Sequence, residues 1–294
     1  MSATVPNLSS GQEMQNVLDA ESSPALTVFN NQLICAYQDT NSKTLRVATA
    51  TASDGSNLTS GTDTGFSIRY APAVAVWNGL LYIAFNERAN NQWWITNSSD
   101  AINFSTPVQI NLTGNNVPSG LQTQFGIGLV AYDEGLYFSF VANGTGGLNG
   151  YASESLDGVN FGEITCMACN MNVNYGASLA TYNGNGSNQL VLTTTDNDGN
   201  LYSLNGPSGE GARYKYTPQG VQWNDSFYVF GRDWAESHNM FLEAYVPGSG
   251  GWQPLHRYGQ TMNNTAGVTV FQNNLIVAAR SNYGKNLWIY YAAN

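Results

Sequence analysis

Three kinds of residue recur in this chain where they could do chemistry. Carboxylates stand at Asp39, Glu87, Asp196 and Asp233, phenol rings at Tyr70, Tyr175 and Tyr216, and guanidinium groups at Arg88, Arg232 and Arg280, with an indole at Trp234. Together these types suit recognition of polyhydroxylated ligands. Planar carboxylates, amides and guanidinium forks grip vicinal hydroxyl pairs two-fold. The C–H faces of a sugar ring lie against aromatic rings. Charged residues make up only 10% of the chain, so their gathering in repeated places carries information.

The elements that must position these residues follow a repeat. Its anchor is an aromatic residue followed by Asn, Asp or Gln: Phe29, Trp77, Tyr132, Tyr182, Trp223 and Phe271, spaced by difference 48, 55, 50, 41 and 48 residues apart. A short run containing small residues leads into each anchor, and four residues after it an apolar second run opens at Leu33, Leu81, Leu136, Phe227 and Leu275. The fourth unit carries a four-residue insertion, so its opener is Leu190. Seven residues before the anchor stand Tyr70, Phe125, Tyr175 and Tyr216, and six before it every residue is small, from Ser23 to Thr265. Ten residues after it, allowing for the insertion, stand the four carboxylates. A period of this length is the mark of a repeat architecture.

These units predict an all-β chain: a six-bladed β-propeller of four-stranded antiparallel blades, forming one domain over 1–294. Second runs such as LLYIAF are apolar on both faces, as expected of sheets packed between neighbours. The chain ends just after a third run, LWIYYAAN, and TVPNLSS near its start is similar to the fourth-run segment TPVQINLT at 106–113. A first strand at about 1–12 is therefore expected to complete the sixth blade, whose other strands span about 262–294, which removes an exposed sheet edge. In such a blade the loop entering the first strand and the loop joining strands two and three share one face. That face would also collect Arg69, Arg213, Lys215, Glu236 and Tyr283.

Composition narrows the partners. The formal net charge is −10, with 10 Lys plus Arg against 20 Asp plus Glu. An acidic chain without a basic tract is a poor match for nucleic acid, whose phosphates dominate affinity, and for anionic membranes. No apolar run approaches the roughly 18 residues of a membrane helix, and MSATVPNLSSGQEMQ lacks the charged-then-apolar order of a signal peptide. The expectation is a soluble protein, secreted or cytoplasmic, with glycans as partners. No cofactor is expected. Asp196-Asn197-Asp198-Gly199 resembles half of a calcium loop and would allow one calcium ion near Asp196 and Asp198, against the plainer reading of a hairpin turn. Cys166 and Cys169 lack further zinc ligands at suitable spacing, and a local disulfide between them is open; Cys35 reads as a buried thiol.

Third runs are followed by Ser53-Asp54-Gly55-Ser56-Asn57, Ser99-Asp100-Ala101-Ile102-Asn103-Phe104 and Leu156-Asp157-Gly158-Val159-Asn160-Phe161, with a looser form, Gly248-Ser249-Gly250-Gly251-Trp252, in the fifth unit. These resemble the Asp boxes of sialidases and their non-catalytic relatives, and the whole unit resembles the repeats of bacterial and fungal propeller lectins. The resemblance implies a lectin binding sugar without altering it. It leaves a sialidase-like glycoside hydrolase as the alternative, with Arg88, Arg232 and Arg280 as the cluster for a carboxylate and Tyr216 with Glu87 or Asp39 as partners. FSIRYAP at 66–72 departs from the early motif of that family. A protein-binding scaffold is the third reading.

Overall fold

The computed structural model is all-β, with no helix among the described residues. Outside the described residues lie 1–4, 15–19, 114–116, 119, 122–125, 145, 185–186, 206–212, 235–237, 246–251 and 283, and the side chains of 241, 253–255 and 259–260. Phe125, Glu236, Tyr283 and the Gly248–Gly251 turn fall among them. The fold is a six-bladed β-propeller of antiparallel sheets. It packs as two compact units, one built on Ile110–Thr261 and one on Pro6–Gln109 with Met262–Asn294.

The second unit holds blades 6, 1 and 2. Blade 1 runs Ala25–Phe29, Gln32–Gln38, Thr44–Ala50 and Thr62–Ser67; blade 2 runs Ala73–Trp77, Leu80–Asn86, Trp93–Ser98 and Val108–Gln109. Blade 6 runs Gly267–Phe271, Asn274–Arg280 and Leu287–Ala292. Its fourth strand comes from the other end of the chain, Gln12 and Glu13 pairing with Ile289 and Trp288. The closing strand lies at the end of the predicted 1–12 segment. Within TVPNLSS the Ser9 N–H donates to the Tyr291 carbonyl, and the Ser9 hydroxyl accepts from the Tyr291 N–H.

The first unit holds blades 3, 4 and 5. Blade 3 runs Gly128–Tyr132, Gly135–Gly144, Gly147–Ser155 and Ile164–Ala168. Blade 4 shows three strands among the described residues, Val173–Gly184, Ser187–Asp196 and Leu201–Leu204. Blade 5 runs Gln219–Trp223, Ser226–Arg232, Asn239–Tyr245 and Trp252–Thr261. The four-residue insertion in blade 4 lengthens its first hairpin, so that Asn183 pairs with Asn188 and Gly184 with Ser187.

The anchor rule has a local cause. A two-residue hairpin whose twist matches its strands needs both turn residues at positive φ, which Asn, Asp and Gly tolerate best. Asn30 and Asn31 (φ 48° and 58°), Asn78 and Gly79 (48° and 73°), Asn224 and Asp225 (47° and 60°) and Gln272 and Asn273 (49° and 68°) meet that need. Second strands are sandwiched as their composition predicts. Leu33, Cys35 and Tyr37 pack into a core shared with blade 6, while Ile34 and Ala36 pack into one shared with blade 2. Cys35 is fully buried, and that burial pushes its thiol up to about 12. Cys166, on the outer strand of blade 3, forms a disulfide with Cys169 in the turn that follows.

The aspartate turns after the third strands of blades 2 and 3 are near copies. Asp157 Oδ1 accepts from the N–H groups of Val159 and Asn160 at 2.9 and 2.8 Å, Oδ2 accepts from Asn160 Nδ2 at 2.7 Å, and Ser155 Oγ takes the Gly158 N–H at 2.9 Å. Asp100 repeats the carboxylate bonds with Ile102 and Asn103, and Ser98 Oγ takes the Ala101 N–H. Bonds from the side chain and backbone of Asn160 hold the Asp157 carboxyl down at about 2. An unfolded aspartate titrates near ~3.9, so this turn is at full strength above that pH and weakens as pH falls through about 2. Asn160→Ala is expected to move the Asp157 midpoint up toward ~3.9, as read by carbon NMR of its carboxyl. An unmoved midpoint would mean the Asn160 side chain is not what depresses it.

Candidate functional site

In each of several blades the chain entering the first strand runs back beside the end of the second. Ala20 bridges to Asp39, Ile68 to Glu87, Tyr214 to Asp233 and Met262 to Ser281, and in blade 4 Val173 pairs with Asp196. Backbone bonds lock the same edge: the N–H groups of Glu21, Arg69, Lys215 and Asn263 donate to the carbonyls of Gln38, Asn86, Arg232 and Arg280. The phenol column and the carboxylate column therefore meet at one edge of their own blades, as the spacing predicts.

Most of the carboxylates are occupied there. Asp39 is buried, and its Oδ1 accepts from the N–H groups of Asn41 and Ser42 at 2.6 and 2.9 Å while Oδ2 takes Arg46 Nε at 3.0 Å. Burial alone would raise this carboxyl; the bonds from Ser42 and Asn41 and the Arg46 guanidinium outweigh it and hold the group below the usual carboxylate range. Asp196 does the same work with Asp198 N, Asn200 N, Asn200 Nδ2 and the Tyr202 hydroxyl, and is likewise lowered against its burial. Asp233 is buried and its Oδ2 meets Arg257 Nε at 2.9 Å. These three carboxylates brace the loop between strands two and three, or tie it to the outer strand. Glu87 differs, because its buried Oε2 has no hydrogen-bond partner among the described residues. Around Asp198, and elsewhere among the described residues, no group of three or more His, Cys, Asp or Glu could hold a metal ion.

The rings and cations gather most tightly in blades 4 and 5. Tyr175 and Tyr216 are both half-buried and meet edge to face, with centroids 5.0 Å apart. The Arg232 guanidinium carbon lies 5.3 Å from the Tyr216 ring centroid, and Arg232 is only 3% exposed. Tyr175 sits at φ 62°, unusual for a bulky residue, in a bulge that shifts the register of its strand between Asn174 and Ala177. Its carbonyl is held by the Gly126 N–H at 3.0 Å and the Thr217 hydroxyl at 2.6 Å. The fold thus pins this ring by over-determining a strained backbone, a device common at functional sites. Nearby in sequence, Trp234 carries the Arg213 guanidinium 4.9 Å from its ring, while Arg213 Nε donates to the Asp198 carbonyl.

In the other unit, Tyr70 is half-buried under the Arg69 guanidinium at 5.7 Å, and Arg88 is exposed. Arg280 is half-buried, with Nη1 donating to the Glu21 carbonyl at 2.9 Å and a buried Nε lacking a partner among the described residues. One column escaped the sequence reading. The residue just before the carboxylate, or before Ser281 in the sixth unit, is polar in five units: Gln38, Asn86, Thr195, Arg232 and Arg280. All five are buried or half-buried. Gln38 donates to the Ile68 carbonyl and Arg280 to that of Glu21, so in these two the side chain ties one blade to the entering loop of the next. Asn86 leaves both amide atoms without a partner among the described residues. A count of polar residues at that spacing would have revealed the column.

No known family description matches the chain, and no curated protein sequence does. Solved structures do match it in fold. A protein of unknown function from Dyadobacter fermentans is 9% identical, with 99% of this chain and 100% of that one covered at a TM-score of 0.69. Trypanosoma rangeli sialidase, in complex with 2,3-difluorosialic acid as a covalent intermediate, is 10% identical over 99% of this chain and 59% of its own, at 0.60. The GH43_1 enzyme from Xanthomonas citri complexed with xylose is 12% identical over 96% and 89%, at 0.56. Among the described residues no helix is long and apolar enough to cross a membrane.

Proposed function

We propose that this chain is a carbohydrate-binding protein of lectin type, and that one of its sites is built on Tyr175, Tyr216 and Arg232. The observation that carries this is the strained Tyr175 backbone, which fixes one ring edge to face with a second ring over which a buried guanidinium lies. Rings of this kind take the C–H face of a sugar and the guanidinium fork takes hydroxyl or carboxylate oxygens. Tyr70, Glu87, Arg88 and Arg280 are the residues we assign to further contacts in the other unit, and Trp234 to a contact beside the first. Asp39, Asp196 and Asp233 serve ligand binding by bracing the loops that carry these groups. The fold neighbours that act on or hold sugars support a glycan as the ligand class. The turns at Ser98–Phe104 and Ser155–Phe161 support kinship with Asp-box propellers.

The second reading, a sialidase-like glycoside hydrolase, is favoured by the unpaired oxygen of Glu87. A glycan array carrying neutral and sialylated glycans, run beside release of fluorophore from sialosides and xylosides, separates the two. Binding without release is the expected result. Silence on every glycan with no release would overturn both readings and leave the protein-binding scaffold, while turnover would make the chain a hydrolase.

A further inference from the structure

A cavity lies in the same unit, away from the edge just described. It measures about 570 Å³, within the range of small-molecule sites. It opens between blades 3 and 4, at the edge where first strands turn into second strands. Its lining combines two carboxylates, Glu154 and Glu163, with the rings of Tyr132 and Tyr137 and the thioether of Met167. It contains no Lys, Arg or His, and neither carboxylate meets a cation among the described residues.

The phenol hydroxyls are already committed. Tyr132 donates to the Asn188 carbonyl at 3.1 Å and Tyr137 is bonded to Glu154. The two rings meet edge to face with centroids 5.6 Å apart, so what they offer an occupant is their π-surface rather than donors. Burial and the Glu154 charge push the Tyr137 phenol up to about 12, which keeps it neutral and leaves both carboxylates as the charges of the cavity. Negative charge, ring surface and a polarisable thioether favour a cation on an apolar body, through Coulomb attraction and cation–π contact.

We infer that the cavity between blades 3 and 4 binds an alkylammonium group carried on an aliphatic or aromatic body, with Glu154 and Glu163 as its counter-charges and Tyr132 and Tyr137 as its walls. The site is separate from the proposed sugar site, and its test is independent of it. Calorimetry and saturation-transfer NMR would compare 2-phenylethylammonium with its neutral isostere 2-phenylethanol and with phenylacetate. The ammonium is expected to bind at least tenfold more tightly than either, and less tightly as salt is raised. The double variant Glu154→Gln, Glu163→Gln should lose at least tenfold of that affinity while its glycan-array profile and melting temperature stay as in the parent. Tyr137→Phe, which keeps the ring, should bind as the parent does. Failure of the ammonium to bind, equal binding of the alcohol, or undiminished binding to the double variant would each overturn the assignment.

Discussion

Gly176→Ala should be the most damaging single-methyl change among the described glycines, costing about 2–6 kcal/mol. Two costs coincide there. Gly176 sits at φ +121°, a conformation that L side chains rarely adopt, and forcing one into it costs about 1–3 kcal/mol. A Cβ built at this position would also lie 2.4 Å from the Gly126 carbonyl oxygen and 2.6 Å from its nitrogen. These are backbone atoms of the chain that enters the first strand of blade 3, bridged to Gly176 and bonded on both sides of it. They cannot rotate away as a side-chain tip would, and overpacking of this kind costs about 1–3 kcal/mol more. Against a native stability of about 5–15 kcal/mol, the urea midpoint should fall by a large fraction. Gly79→Ala is the control. That glycine also has positive φ, +73°, but nothing lies within 4 Å of its would-be Cβ, so only the conformational cost of about 1–2 kcal/mol remains. Equal midpoints for the two variants would refute the account of the Gly126 contact.

The contrast between these two glycines marks how far the sequence could be read. Gly79 is legible, since an aromatic followed by Asn-Gly between apolar runs asks for a two-residue hairpin, and six aromatic anchors followed by Asn, Asp or Gln fix the blades. The second strands are legible for the same reason: only a sheet covered on both sides tolerates LLYIAF. The closing strand was placed near its true position, but a two-residue pair at Gln12–Glu13 has no periodicity to locate it. In the candidate site the columns were visible and their division of labour was not. Whether a carboxylate faces a ligand or its own turn depends on where the next N–H groups point. Asp39 finds two of them within three residues and Asp196 finds two within four. Glu87 bridges to its entering chain as Asp39 does, yet one of its carboxylate oxygens has no partner among the described residues. Gln38, Asn86 and Thr195 of the neighbouring column are missed because adjacent strand residues point to opposite faces, so a register drawn through the acids looks past them. Gly176 and the bulge beside it could not be foreseen, since they answer to a carbonyl and an N–H in another blade.

That bulge permits a test in which stability and binding come apart. In Tyr175→Gly the left-handed φ of 62° costs nothing, relieving roughly 1–2 kcal/mol of strain. The loss of the edge-to-face contact with Tyr216 takes back about 0.5–1.5 kcal/mol. Stability should therefore change by no more than about 1.5 kcal/mol. Binding should not survive as well. Loss of an anchoring ring from a site typically costs about 2 kcal/mol or more, roughly 30-fold in affinity, for whichever glycan ranks first on the array. Tyr216→Ala makes the opposite case. It removes the ring beneath the Arg232 guanidinium, a contact worth about 0.5–2 kcal/mol, and with it the partner of Tyr175, so stability and affinity should fall together. Glycan titrations and urea unfolding of both variants decide the matter. A Tyr175→Gly protein that binds its glycan as the parent does would remove that ring from the site, and the strained backbone would then need another explanation than ligand recognition.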